Sequence, residues 1–320
     1  MAWRFRLASY IIGRLLQAIP TLLLSSIGVF LVLRLVPGDP ADALAGQDAT
    51  PERVAEIRGQ LGLDEPIPVQ YLNWVSDLAH GDMGTSLRNG LPVSRLLKLS
   101  MPPTLELAVV AYAIALAIGI PLGVMAGAKP RSGWDWALSG YTIGTIGIPS
   151  FLSGILLLWL FAVILGWFPT SGRVAFSDDP VSSLKHLALP SFALGTGLAA
   201  VLARYTRTAV AQVMGHDYIR TAKAKGLTQR VVIMRHALRN SLIPIITIAA
   251  LQAGGVMAGA VVIEQVFTRP GMGRLVVEAI QNRDYMVVQS ALVVLVTIFV
   301  LVNLAADIAY GFLDPRVRRR

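Results

Sequence analysis

Leu107–Ala128 reads LAVVAYAIALAIGIPLGVMAGA, 22 residues without one Asp, Glu, Lys or Arg. A helix crossing a bilayer needs roughly 17–25 mostly apolar residues, so this stretch predicts a membrane span. Five further charge-free stretches of spanning length flank it: Leu15–Leu33, Trp136–Gly172, His186–Ala203, Asn240–Ile263 and Tyr285–Ala306. The 37 residues of Trp136–Gly172 are too many for one helix. Gly140, Gly144, Gly147 and Pro149 punctuate the first part and Gly166–Gly172 reads as loop, which leaves one span near Thr142–Leu165. Pro190, Gly195 and Gly197 interrupt His186–Ala203, yet its neighbours need the chain on opposite sides, so it too is read as a span. The expectation is an all-α, polytopic membrane protein with six transmembrane helices.

Composition agrees. Of 320 residues, 54% are hydrophobic and 15% charged, with a net charge of +9. An ordinary globular domain carries about 25% charged residues, and disorder would require low hydrophobicity with high charge. The absence of cysteine excludes a disulfide scaffold, a cysteine nucleophile and a thiolate metal site. The first apolar run also invites comparison with a cleaved signal peptide, with Ala43-Leu44-Ala45 as the cleavage site. That run is longer than a usual h-region and the site lies ten residues beyond it, so an uncleaved helix is expected.

The charge is unevenly distributed. Net charges between spans are +3 for residues 1–14, −4 for 34–106, +1 for 129–135, 0 for 173–185, +7 for 204–239, 0 for 264–284 and +2 for 307–320. Leaving out the long second segment, one side holds 17 Lys and Arg and the other 5. Lys and Arg in short loops favour the cytoplasm, so both termini are predicted to be cytoplasmic. The basic excess is then a topology signal, not a nucleic-acid footprint. The chain divides into 1–34 (N-terminal segment and first span), 35–103 (extracytoplasmic segment), 104–311 (five-helix core including 204–239) and 312–320 (basic tail).

The extracytoplasmic segment carries its own helix signals. Thr50 can cap a helix with Pro51 at the first position and Gly62 past the end, placing Val54, Ile57 and Leu61 on one face. A second short helix is expected over Pro68–Ala79, ending near Gly81. Folded so, the segment forms a small outer cap suited to docking.

The spans hold no Asp, Glu, Lys or Arg. Arg14, Arg34, Glu106, Arg204, Glu264 and Asp307 sit at their ends, where they are expected to snorkel or cap helices. Ion-coupled carriers place such groups near the midplane. No H-E-x-x-H, G-x-S-x-G or G-x-x-x-x-G-K-[ST] pattern occurs, and His80, His186, His216 and His236 lie in loops or at span edges. A buried enzyme and a self-powered pump are therefore both disfavoured. Gly119/Gly123/Gly127, Gly140/Gly144 and Gly255/Gly259 recur at helix-packing spacing, suited to packing within the chain or against another membrane subunit.

Residues 204–239 contain eight basic residues and one acid, Asp217. Asp217 can cap a short helix Tyr218–Lys225, and Gly226 suits the left-handed position that ends it. A second helix is expected over Gln229–Asn240. The pattern is a helix–glycine–helix elbow, able to serve as a lever for a cytoplasmic protein or as a cuff on anionic headgroups.

The run Asp217-Tyr218-Ile219-Arg220-Thr221-Ala222-Lys223-Ala224-Lys225-Gly226-Leu227, followed by His236–Pro244, resembles the cytoplasmic EAA loop of ABC-importer permeases in the dipeptide/oligopeptide/nickel group. Further similarity to the first (B-type) permease of that group lies in Ile12–Thr21, Val36-Pro37-Gly38-Asp39-Pro40, Leu61-Gly62-Leu63-Asp64, Gly81–Ser86, Pro270–Arg274, Asn282–Tyr285 and Asp314-Pro315-Arg316. The resemblance implies a type I ABC-importer-like permease of the bacterial inner membrane. Its implied partners are a homologous second permease, two cytoplasmic ATP-binding subunits and an extracytoplasmic solute-binding protein. ATP and Mg would be held by the partners, with no cofactor on this chain. The implied coupling-loop contacts are Asp217, Tyr218, Arg220, Thr221, Ala222, Lys223, Lys225 and Gly226. Arg220-Thr221-Ala222 departs from the generic Glu-Ala-Ala start, which puts an acid-mediated contact at position 220 in doubt. Di- or oligopeptides are the expected substrate. A nickel chelate, glutathione or another small solute by the same mechanism is the alternative, and an ATP-independent channel or carrier is the competing class.

Overall fold

A computed structural model describes residues 2–35, 41, 45, 50–60 and 62–313. The Val36–Pro40 motif, Ala43-Leu44, Leu61 and the ending Asp314–Arg320 lie outside the described residues. The elements are α1 (Ala2–Leu35), α2 (Pro51–Gln60), α3 (Ile67–Ala79), α4 (Val93–Ala128), α5 (Gly133–Gly147), α6 (Ser150–Ile164), α7 (Pro180–Met214), α8 (Asp217–Ala224), α9 (Gln229–Val266), α10 (Met272–Gln281) and α11 (Tyr285–Leu313). Among the described residues, five helices are long and apolar enough to cross a membrane: Ile11–Leu35 of α1, α4, α7, α9 and Tyr285–Ile308 of α11. The pair Gly133–Thr145 and Ser150–Ile164, bent by 97°, supplies a sixth when counted as one span.

That pair corrects the single helix expected near Thr142–Leu165. Pro149 disfavours the helical region for its predecessor, and Ile148 is accordingly extended (φ −110°, ψ 116°). α5 therefore stops at Gly147, and α6 restarts at Ser150 and loosens into a π-helix over Leu158–Ile164. Two more boundaries shift. α7 continues to Met214 and α9 begins at Gln229, so the charged stretch 204–239 is mostly helix, with α8 and the turns on either side of it between Gly215 and Thr228. The expected Gln229–Asn240 helix has no break from the following span; a π segment over Val232–Leu238 joins them. Charges mark where a helix leaves hydrocarbon, whereas backbone hydrogen bonds carry it on into the headgroup region.

By its contacts the chain divides into two compact units, residues 1–15, 104–269 and 301–320 in one and residues 16–103 and 270–300 in the other. In the first, α4 and α7 meet along the glycine ridge. A Cβ on Gly119 would stand 2.8 Å from the Ala199 carbonyl oxygen, on Gly123 2.5 Å from that of Ala203, and on Gly127 2.6 Å from that of Arg207. Gly195 of α7 returns the contact, 2.6 Å from the Ala111 carbonyl oxygen. This is the close backbone approach that small residues permit. Gly140, Gly144 and Gly255 face open space. α7 starts on a side-chain cap, with Asp179 accepting from the Val181 and Ser182 amides and Pro180 at the first position. It runs unbroken through Pro190. Tyr112 donates to the Ala249 carbonyl at 2.6 Å and Tyr141 to that of Thr196 at 2.6 Å, each satisfying a hydroxyl inside the bundle.

In the second unit, α2 begins at Pro51 as expected, with the Arg53 amide reaching Thr50 Oγ1 at 3.4 Å, and Gly62 takes φ +62°. α3 begins at Ile67, one residue before its expected start. It lies against α1 through Tyr71 and Trp74, whose rings sit 5.4 and 5.8 Å from that of Phe30. Arg34 does not simply snorkel: it covers the Phe30 ring at 4.7 Å and donates to Gln70 Oε1 at 2.7 Å. Leu33, Val93, Leu97, Met272, Val276 and Val288 belong to the main buried cluster of this unit. Asp284 caps α11 and accepts from Ser86 Oγ at 2.5 Å and from the Leu87 amide at 3.2 Å.

Candidate functional site

The turn region between α7 and α9 holds all the residues expected to form the lever. α8 covers Asp217–Ala224, and its cap is His216, extended at ψ 150°. Asp217 is therefore the first helical residue and not the cap, a correction of one position. It favours the helix from there by placing negative charge at the positive end of the helix dipole. At the other end Gly226 has φ +79°, and its amide bonds the Lys223 carbonyl at 3.0 Å. No atom lies within 4 Å of where its Cβ would stand. Backbone conformation, and not crowding, requires glycine there.

The two faces of α8 differ. Ile219 and Ala222, three apart, are buried and pack with Val232 and Ala237 of α9 and with Val213 and Met214 of α7. Asp217, Tyr218, Arg220, Thr221, Lys223, Lys225 and Gly226 are exposed. Of the expected contact residues only Ala222 is turned inward. Thr221 Oγ1 returns to the Asp217 carbonyl at 3.1 Å, and the Arg220–Asp217 pair at 3.5 Å is solvated and adds little. Tyr218 stacks on His216 at 5.7 Å and accepts from Asn240 Nδ2 at 3.0 Å, a tie from α8 to α9. Ile219, Val232 and Asn240 hold the elbow in place, and the i, i+3 spacing of Ile219 and Ala222 is the sequence signal for the first of them.

Not all the basic residues of 204–239 face outward. Arg207 forms a bidentate pair with Asp135, which is only 6% exposed and also accepts from the Arg131 amide at 2.8 Å. This pair joins α7 to the start of α5.

Four more span-end charges, Glu106, Glu264, Arg14 and Asp307, also find partners. Glu106 accepts from Arg173 Nη2 at 2.5 Å and from Arg269 Nη2 at 2.7 Å. Glu264 is fully buried and accepts from Thr104 Oγ1 at 2.5 Å. Arg14 meets Asp307 at 3.3 Å. Glu106 and Glu264, expected to snorkel or cap helices, instead belong to an internal network. The Glu106 hydrogen bond raises the pKa of Arg173, while burial pushes that of Arg269 down against the opposing Glu106 charge. Among the described residues no group of three His, Asp or Glu is placed to hold a metal ion.

Several apolar helices of membrane-crossing length, joined through a glycine-stopped helix with an exposed cationic face, fit a membrane-embedded transport subunit. The chain belongs to the family described as binding-protein-dependent transport system inner membrane component, whose profile matches residues 119–319; the matching N-terminal profile covers residues 7–108. It is a multi-pass inner-membrane ABC-importer permease and not an enzyme, and it works with other transporter subunits. It is 39% identical to the dipeptide transport system permease protein DppB of Alkalihalophilus pseudofirmus, over 97% of this chain and 99% of that one. It is 42% identical to a putative peptide transport system permease protein of Brucella abortus (98% and 99%). It is 40% identical to the glutathione transport system permease protein GsiC of Salmonella typhimurium (97% and 99%). Its fold is similar to that of a chain in the inward-facing MetNI methionine ABC transporter, with a TM-score of 0.56 at 18% identity, over 68% of this chain and 96% of that one.

Proposed function

We propose that the chain forms half of a translocation pathway for short peptides, paired with a homologous second permease. Two cytoplasmic ATP-binding subunits grip α8, and an extracytoplasmic solute-binding protein delivers substrate to the cap formed by α2 and α3. The observation that carries the lever is the two-faced geometry of α8. Its inner face is fastened to both α7 and α9, and its outer face is polar and free. A pull on α8 therefore moves the ends of two spanning helices together. Packed helices respond to such a pull by switching between discrete arrangements, as alternating access requires. The relatives are named for dipeptide, peptide and glutathione transport, and glutathione is itself a tripeptide, which supports short peptides as the substrate class.

Lys223→Cys and Asp77→Cys, each introducing the sole cysteine of its variant, test the orientation. In sealed cells the Asp77→Cys variant should label with an impermeant maleimide, and the Lys223→Cys variant only after permeabilisation. The reverse pattern would overturn the topology. In the complete transporter, Gly226→Pro should abolish both association with the ATP-binding subunits and peptide uptake, because proline fixes φ near −65°. Unchanged association and uptake would remove the lever. Uptake of a labelled dipeptide tests the substrate class, with glutathione and a nickel chelate as competitors. Inhibition by the nickel chelate alone would favour that substrate.

A further inference from the structure

Beside the elbow, the last turn of α4, the start of α5 and the first turns of α9 enclose a cleft of about 800 Å³. Its wall is apolar, formed by Val124, Met125, Trp134 and Met234. Trp134 and Met234 are 52% and 56% exposed. Its rim carries Lys129, Arg230 and Arg235, with no Asp or Glu among the lining residues. None of these three cations forms an ion pair among the described residues.

We propose that this cleft is a binding site for an anionic phospholipid, with an acyl chain along Met125, Trp134 and Met234 and the headgroup phosphate between Lys129, Arg230 and Arg235. The proposal rests on the orientation given above, which puts the cleft at the cytoplasmic leaflet. Three features select a lipid over a protein segment. The wall passes from spanning residues to cations within five positions, Val124 to Lys129, the same step a bilayer makes from hydrocarbon to headgroup. The charge has one sign only, complementary to an anionic leaflet. Tryptophan at that level matches the aromatic belt of membrane interfaces. Arg230 and Arg235 lie at the start of α9, directly after the Gly226 turn, so a bound headgroup would brace the lever's exit helix.

The test uses the complete transporter reconstituted in phosphatidylcholine vesicles containing brominated phosphatidylglycerol or brominated phosphatidylcholine. The difference in fluorescence between the native chain and Trp134→Phe isolates Trp134. Brominated phosphatidylglycerol should quench that signal at a several-fold lower mole fraction than brominated phosphatidylcholine. Each rim cation changed to glutamine should weaken the preference by roughly fivefold, the effect of one cation near an anionic surface. All three cations are exposed, and an unchanged melting temperature of the variants separates lost binding from lost folding. Equal quenching by both lipids would reduce the site to ordinary interface and overturn the proposal. Quenching that is absent from the complete transporter and emerges only when the ATP-binding subunits are stripped away would assign the cleft to those subunits, overturning it as well. The cysteine labelling above reports independently whether the orientation holds.

Discussion

Arg269 Nη2 donates to Glu106 Oε2 at 2.7 Å, joining residues 163 apart in the chain. Arg269 is 1% exposed, and the fully buried Glu264 bonds Thr104, two residues before Glu106. The network pins the segment after α9 to the N-terminal half of α4. Arg269 also faces the charge of the buried Glu264, and leaving a buried charge uncompensated costs about 3–5 kcal/mol. Arg269→Met should therefore lower thermal stability in detergent far more than Arg173→Met, since the Arg173 side chain is 22% exposed and water can take over part of its role. Equal losses in the two variants would show that burial does not set the cost.

The glycine ridge makes a paired prediction. A methyl group on Gly123 meets the Ala203 carbonyl oxygen at 2.5 Å and Thr206 Cβ at 2.5 Å. Gly123→Ala should destabilise by about 3 kcal/mol, the upper range for overpacking. Gly144 has nothing within 4 Å, so Gly144→Ala should stabilise its helix by up to about 1 kcal/mol. Melting temperatures of the two variants, purified in the same detergent, check the opposite signs.

At the elbow, Gly226→Ala introduces no clash, only a left-handed backbone that costs an L-residue roughly 1–2 kcal/mol. The strain falls on the end of α8 and not on the spanning helices. Insertion and overall melting should be nearly unchanged, while protease nicking between Lys223 and Gln229 should rise. Loss of insertion would mean that the turn supports the whole bundle.

Asp284 both caps α11 and satisfies buried Ser86. Losing a cap costs about 0.5–2 kcal/mol, and a buried hydroxyl left without its partner costs about 1–3 kcal/mol more. Asp284→Ala should thus destabilise clearly more than Ser86→Ala, which leaves Asp284 Oδ2 without its donor but keeps the cap and the Leu87 amide bond. Urea denaturation of both variants reads the difference.

Much of this architecture is written along the chain. The end of α4 at Ala128 and the start of α11 at Tyr285 follow from charge avoidance alone, and the α8 glycine stop, the Thr50–Pro51 helix start and the α3 helix follow from local caps and turns. Burying a charge in hydrocarbon, or forcing a side chain into a left-handed turn, carries its penalty at that residue whatever its neighbours do. That is why these features are legible without a structure. The break at Ile148-Pro149 is also local, and the rule that a residue before proline leaves the helix accounts for it. The expected single span set aside a signal already present.

The tertiary structure alone decided which surfaces meet. Gly119/Gly123/Gly127 and Gly140/Gly144 share the same spacing, yet the first ridge is packed on α7 and the second is open. In the sequence Glu106, Arg173 and Arg269 look like independent span-end charges, and Arg207 looks like one more cation of a docking loop; in the fold each has its partner. Pair energies depend on a distance of a few ångströms between residues scores of positions apart, and neither periodicity nor composition contains that distance. Chain order determines where each helix can cross; three-dimensional packing determines which charges are paired inside the bundle and which, such as Lys223 on α8 and Lys129 at the cleft rim, have no ion-pair partner among the described residues.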